Sequence, residues 1–114
     1  MSGQAAQHYE TWPAAIGGMR EQASDIMKGF GAMYQRLMAG EGALSLKEKE
    51  LIAIAIGMAV RCEPCIYAHV EKAVKAGATR EELLDMAGVV VVMQGGPGYV
   101  HVPELLDAME ALGV

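Results

Sequence analysis

The amino-acid sequence predicts an all-α fold of one domain, and three observations carry that reading. The chain has 114 residues, which leaves little room for a second core. Apolar residues make up 53%, nine of them Met, while Phe, Trp and Tyr reach only 5%, a palette that suits helix packing better than a β-sandwich. Breaker residues and two Ser/Thr-x-x-Glu capping boxes, Ser45 with Glu48 and Thr79 with Glu82, divide the chain into helical lengths.

Residues 1–15 contain Trp12 and Pro13 but no sustained period, and read as a loose arm or a short helix. From Ile16 onward, Met19, Ile26, Phe30, Met33, Tyr34 and Leu37 recur mostly at steps of three or four, which predicts a first helix ending near Gly40. The Ser45 box opens a second helix whose residues 51–60 are apolar on every side, the expected buried centre. A third helix is expected over residues 63–76, with Pro64 tolerated in the first turn and Gly77 placed for a left-handed stop. The Thr79 box opens a fourth, running through Leu83, Leu84, Ala87, Val90, Val91 and Gln94. Within it, the β-branched run 89–92 has a short buried strand as its alternative. After Gly95, Gly96, Pro97 and Gly98, Pro103 begins a fifth helix with Leu105, Leu106, Met109 and Leu112 on one face. The expectation is about five helices and no sheet, with residues 1–44 as arm and first helix and residues 45–114 as the helical core.

Charge and composition narrow the function. Nine Lys and Arg against 14 Asp and Glu give a formal charge of −5, with no basic stripe to meet a phosphate backbone, so no nucleic-acid partner is expected. The longest apolar run, residues 51–60, is about half the ~20 residues needed to span a bilayer, so no membrane partner is expected either. The first residues show no basic segment followed by an apolar one, and with two cysteines the expected compartment is the reducing cytoplasm. This much apolar side chain is hard to hide in one small core, which predicts association of subunits.

The specific chemistry lies in Cys62, Glu63, Pro64 and Cys65, a CxxC with His69 four residues beyond it. Residues four apart share a helix face, so His69 can act on the Cys65 thiol as a base or as a charged partner. Cys62 falls at the helix start, where free N–H groups and the macrodipole favour a thiolate. Two cysteines at this spacing can close a disulfide with little backbone movement. Glu50 enters the apolar second helix and needs a partner there. If the second and third helices pair antiparallel about Arg61, Glu50 lies roughly 15 Å and His69 roughly 12 Å from the turn, so the two come level. The alternatives are a zinc half-site of Cys62, Cys65 and His69 with a fourth ligand from His8, His101 or a carboxylate, inert core cysteines, and, for Glu50, a solvated place in the run Lys47, Glu48, Lys49, Glu50. Haem attachment of c type is excluded because Ile66, not His, follows Cys65. A thioredoxin-type βαβ is disfavoured for want of strands. Tyr99 and His101 either line a pocket or pack, and packing is favoured because no spacing pairs them.

These residues bear a family resemblance. Residues 45–109, 65 of the 114, resemble the carboxymuconolactone decarboxylase and alkylhydroperoxidase D-like family, whose motif is a Glu, eleven residues, then CxxCxxxH. Glu50, Cys62, Cys65 and His69 fill it, and Gly95, Gly96, Pro97 and Pro103 match the trailing GGPxxxxxP. The resemblance implies an all-helical fold, homo-oligomers that are trimers or hexamers, and thiol peroxidase or disulfide reductase chemistry. In it Cys65 attacks a hydroperoxide or disulfide substrate, Cys62 resolves, and Glu50 with His69 relays protons. A thiol reductant protein or small thiol would restore the dithiol, and neither cofactor nor metal is expected. Alkylhydroperoxidase D proteins of the mycobacterial type carry a second His just before the later cysteine, where this chain has Pro64, so the relay is shorter here. The lactone-decarboxylating branch works without the cysteine pair, against which Cys62 and Cys65 argue.

Overall fold

A computed structural model describes residues 3–40 and 42–114. Among the described residues seven helices follow one another: α1 Gln4–Gln22, α2 Ser24–Met38, α3 Leu46–Ala59, α4 Glu63–Lys75, α5 Arg80–Gln94, the single turn α6 Gly96–Tyr99, and α7 Val102–Leu112. The described residues contain no strand. The core joins α3, α4, α5 and α7 through Ile54, Met58, Ile66, Val70, Leu83, Leu105 and Met109, all fully buried.

The largest departure from the sequence reading is at the N-terminal end, where residues 4–22 form a regular helix despite Pro13. The first two residues of the expected arm lie outside the described residues. Tertiary contacts hold α1. Ala5 is completely buried and its N–H donates to Asp107 Oδ2 at 2.9 Å, and the Tyr9 hydroxyl donates to the Tyr67 carbonyl at 2.6 Å. The expected first helix is instead divided at Ala23, which leaves helical geometry at φ −139°, ψ 47°. Its apolar stripe survives on α2, but α2 buries no residue, and Ile26, Phe30, Met33 and Leu37 face outward.

Both capping boxes form, with Ser45 accepting from the Glu48 N–H and Thr79 from the Glu82 N–H, and each Glu returning a bond to its cap. The Thr79 box carries α5 without interruption through residues 89–92, so the strand alternative is overturned. Gly77 takes the left-handed stop after α4 at φ 96°. In α3, Glu50, Ile54, Gly57 and Met58 are buried while Ile52, Ile56 and the C-cap Val60 stay exposed, so only one side of the expected central helix is covered.

The turn from α3 to α4 sets the site. The Cys62 N–H donates to the Gly57 carbonyl at 2.9 Å and the Arg61 N–H to that of Met58 at 3.3 Å, a Schellman closure with Arg61 at φ 61° where glycine is usual. Cys62 then serves at once as the N-cap of α4. The two helices return side by side, and Gly57 permits it: a Cβ built there would lie 3.2 Å from Cys65 Cβ and 3.4 Å from the Ile66 nitrogen.

Candidate active site

Glu50, on α3, lies at the end of a charged run, yet it is only 2% exposed. Its Oε1 sits 2.6 Å from Nδ1 of His69 on α4, so the expected levelling of the two helices is realised and the solvated alternative fails. An ionised carboxylate only accepts, so Nδ1 is the protonated nitrogen and the lone pair of a neutral ring is left on Nε2. Glu50 Oε2 accepts from the Tyr34 hydroxyl at 3.4 Å, and that oxygen in turn accepts from Lys72 Nζ at 2.8 Å. The hydrogen bonds therefore run in one direction from Lys72 through Tyr34 to Glu50, and from His69 to Glu50. Donors at both oxygens offset much of the cost of burying the carboxylate. The Tyr34 ring lies beside the His69 ring, with centroids 6.3 Å apart and planes inclined by 26°.

Cys62 and Cys65 are joined by a disulfide, with Cα atoms 5.2 Å apart. Cys62 Sγ also accepts from the Cys65 N–H at 3.3 Å, as an N-cap. When the disulfide opens, that N–H and the helix macrodipole favour negative charge on Cys62, which makes it a good leaving thiolate. Cys65 and His69, one turn apart on α4, line a common cleft of about 410 Å³ whose far wall is α1 and α2. On that wall, burial pushes the Tyr9 phenol well above its usual range, so Tyr9 stays protonated and acts as a donor.

Sequence reasoning missed Tyr34 and Lys72. Lys72 carried a signal, since it follows His69 by three residues and shares its helix face. Tyr34 carried none, because its spacing fits an ordinary apolar stripe. His101 was left unpaired by the sequence reading, but its Nδ1 lies 3.0 Å from Glu104 Oε2, at i,i+3 on the first turn of α7. Neither His101 nor the exposed Tyr99 lines the cleft that holds Cys65 and His69. Among the described residues, no three His, Cys, Asp or Glu side chains converge where a metal would sit, and no helix is long and apolar enough to cross a membrane.

The sequence profile of the carboxymuconolactone decarboxylase family matches residues 24–111. The chain belongs to that family. A family member of known structure from Legionella pneumophila, solved in the apo form, superposes with a TM-score of 0.90 at 35% identity, covering 99% of this chain and all of the other. A Thermotoga maritima member, for which involvement in an antioxidative response has been suggested, shares the fold at a TM-score of 0.80 and 22% identity over 94% of this chain and 90% of its own. An uncharacterised protein of the cox locus of Paracoccus denitrificans is 31% identical over 99 residues, 87% of this chain and 88% of that protein. An uncharacterised Cupriavidus necator protein is 29% identical over 107 residues, 82% of this chain and 95% of that protein.

Proposed function

We propose that this carboxymuconolactone decarboxylase family protein is a dithiol oxidoreductase that reduces a hydroperoxide, or an organic disulfide, through Cys65 and Cys62. The observation that carries the reading is the buried Glu50 carboxylate 2.6 Å from His69 Nδ1, one helical turn from a bonded cysteine pair. In the reduced protein, His69 Nε2 takes the Cys65 proton, and the thiolate attacks the distal oxygen of the hydroperoxide. The O–O bond breaks, the alcohol leaves with the proton that His69 returns, and Cys65 becomes a sulfenic acid. The Cys62 thiol displaces water from that sulfur, giving the disulfide present in the structure. Two electrons and two protons from a thiol reductant, protein or small molecule, reopen it by thiol–disulfide exchange, with Cys62 as the favoured leaving thiolate. Pro64 puts no second imidazole between the sulfurs, so the relay consists of Glu50 and His69 supported by Tyr34 and Lys72.

Hydroperoxide removal driven by a dithiol should vanish in Cys65→Ser and fall by roughly 10²–10⁴-fold in His69→Ala, the usual worth of a positioned base. Unchanged turnover in Cys65→Ser would refute the proposal. Lactone decarboxylation that survives replacement of both cysteines would favour the other branch of the family.

We infer that the protein works as a homo-oligomer, a trimer or hexamer. Its accessible surface is 7189 Å², against roughly 6000 Å² for a compact monomer of this mass. Ile26, Phe30 and Leu37 on α2, Ile56 on α3 and Val92 on α5 are all more than half exposed. A dithiol that must be re-reduced in every cycle suits the cytoplasm.

A further inference from the structure

Tyr34 and Lys72 are the two residues shared by the Cys65 cleft and a second pocket, of about 280 Å³, that reaches Glu50 from behind past Met38, Leu46 and Lys75. They stand between the carboxylate and the cleft that His69 lines. α2 buries no residue, yet Tyr34 is turned inward and half-buried on it. Lys72 is half-buried on α4, although Lys75, one turn on, is exposed. The Lys72 ammonium lies 2.8 Å from the Tyr34 hydroxyl and 4.2 Å from the centre of its ring, so the phenol holds it by both its polar tip and its π face.

The polarity of these hydrogen bonds has one source. An ammonium donates and never accepts, so the Tyr34 oxygen receives from Lys72 and its own hydrogen has to go elsewhere. The acceptor within reach is Glu50 Oε2, at 3.4 Å, a longer contact than the 2.6 Å between Oε1 and His69 Nδ1. Lys75 does not stand in for Lys72: its side chain is 74% exposed and its Nζ lies 3.9 Å from Glu71. With Tyr34 or Lys72 changed, the buried carboxylate keeps one firm donor in a site nearly closed to water, which favours the neutral carboxyl. With one proton added from solvent, the pair rests with one hydrogen on the carboxyl, donated to Nδ1, and the other on Nε2, whose lone pair is then no longer free.

We propose that Lys72 and Tyr34 are positioning residues that fix the tautomer of His69: a donor-only cation sets the direction of hydrogen bonding through the phenol, keeps Glu50 an acceptor at both oxygens, and so leaves Nε2 free to take the Cys65 proton. The inference deepens the dithiol reading above and rests on it for what His69 does, while the tautomer itself is measurable without that chemistry. Arginine, which also only donates, should replace Lys72. Glutamine, whose carbonyl oxygen can draw the phenol hydrogen away from Glu50, should not.

Two readouts separate this role from a structural one. The chain has three histidines, so imidazole nitrogen NMR on histidine-labelled, oxidised protein resolves each ring, and His69→Gln identifies the signals of His69. His69 should carry its proton on Nδ1 in wild type and in Lys72→Arg, and its two nitrogen shifts should move toward the Nε2-protonated pattern in Lys72→Gln and in Tyr34→Phe. In the reduced protein at pH 7, loss of free thiol to tert-butyl hydroperoxide should slow about fivefold or more in Lys72→Gln and Tyr34→Phe, and stay within about twofold of wild type in Lys72→Arg. Tyr34→Phe keeps the ring and Lys72→Gln alters a side chain open to solvent, so the two variants do not share a folding risk. Nδ1 protonation retained in either of them overturns the proposal, as does an Nε2 pattern in Lys72→Arg, which would mark lost packing. Slower thiol loss with an unchanged tautomer, or a changed tautomer with thiol loss unslowed, overturns it too. The expected tautomer change with no thiol loss even in wild type sinks the dithiol chemistry and leaves the positioning role standing.

Discussion

Replacing Gly57 by alanine puts a methyl group between α3 and α4 at the level of the reactive sulfur. The new Cβ would stand 3.2 Å from Cys65 Cβ, 3.4 Å from the Ile66 nitrogen and 3.6 Å from the Cys65 carbonyl carbon, where carbon atoms prefer about 3.5–4.0 Å. Two of these three neighbours are backbone and cannot turn aside, so the helices must part by a few tenths of an ångström. Overpacking of this kind costs roughly 1–3 kcal/mol, and the better helix propensity of alanine returns about 1 kcal/mol. The expected net is a loss of roughly 0–2 kcal/mol, read as a lower urea midpoint with an unchanged m-value. Because the methyl pushes on the first turn of α4, thiol oxidation by hydroperoxide should slow as well. A variant about 1 kcal/mol more stable than wild type with unaltered thiol reactivity would refute the reasoning, since alanine would then contribute its propensity without meeting α4.

Other perturbations read other parts of the molecule. Arg61 occupies a left-handed position at φ 61°, so Arg61→Gly should raise stability by up to about 1 kcal/mol, the left-handed strain relieved less the extra entropy of glycine; a lower melting temperature would contradict this. The Tyr9 phenol is raised by burial above its ordinary pKa of 10.0, so its contribution is fully present below about pH 10 and is lost as pH rises, when the unfolded chain ionises first. Tyr9→Phe should therefore be less stable than wild type near pH 7 by roughly 0.5–1.5 kcal/mol, with the gap narrowing above pH 10 in urea titrations. Light scattering should give a mass several times the 12.1 kDa chain, and Ile26→Glu combined with Leu37→Glu, two exposed α2 positions outside the cleft, should reduce it; a wild-type mass near one chain would contradict assembly.

Legibility in the sequence followed the range of the interactions. Helices opened by local chemistry, the Ser45 and Thr79 boxes and the Gly77 stop, fall where spacing puts them, because caps act within one turn. The Glu50 and His69 encounter was readable too, since a short turn fixes the register of two adjacent helices and simple rise per residue does the rest. α1 was not, because what holds it is Ala5 against Asp107 and Tyr9 against Tyr67, partners far along the chain. Tyr34 was hidden for a related reason: α2 carries it in from a separate segment, and nothing in its own neighbourhood marks one tyrosine of an apolar stripe as the donor to Glu50. The break at Ala23 falls inside a stripe that keeps its period across the interruption, which is why one helix was expected where there are two.

Counting thiols tests the central claim most directly. Reduced protein given one equivalent of an organic hydroperoxide should lose two free thiols per chain. Peptide mapping should then place the new bond between Cys62 and Cys65, with no loss of the Cys62 thiol to an intrachain bond in Cys65→Ser. Thiols that survive the oxidant, or bonds formed only between different chains, would contradict the account.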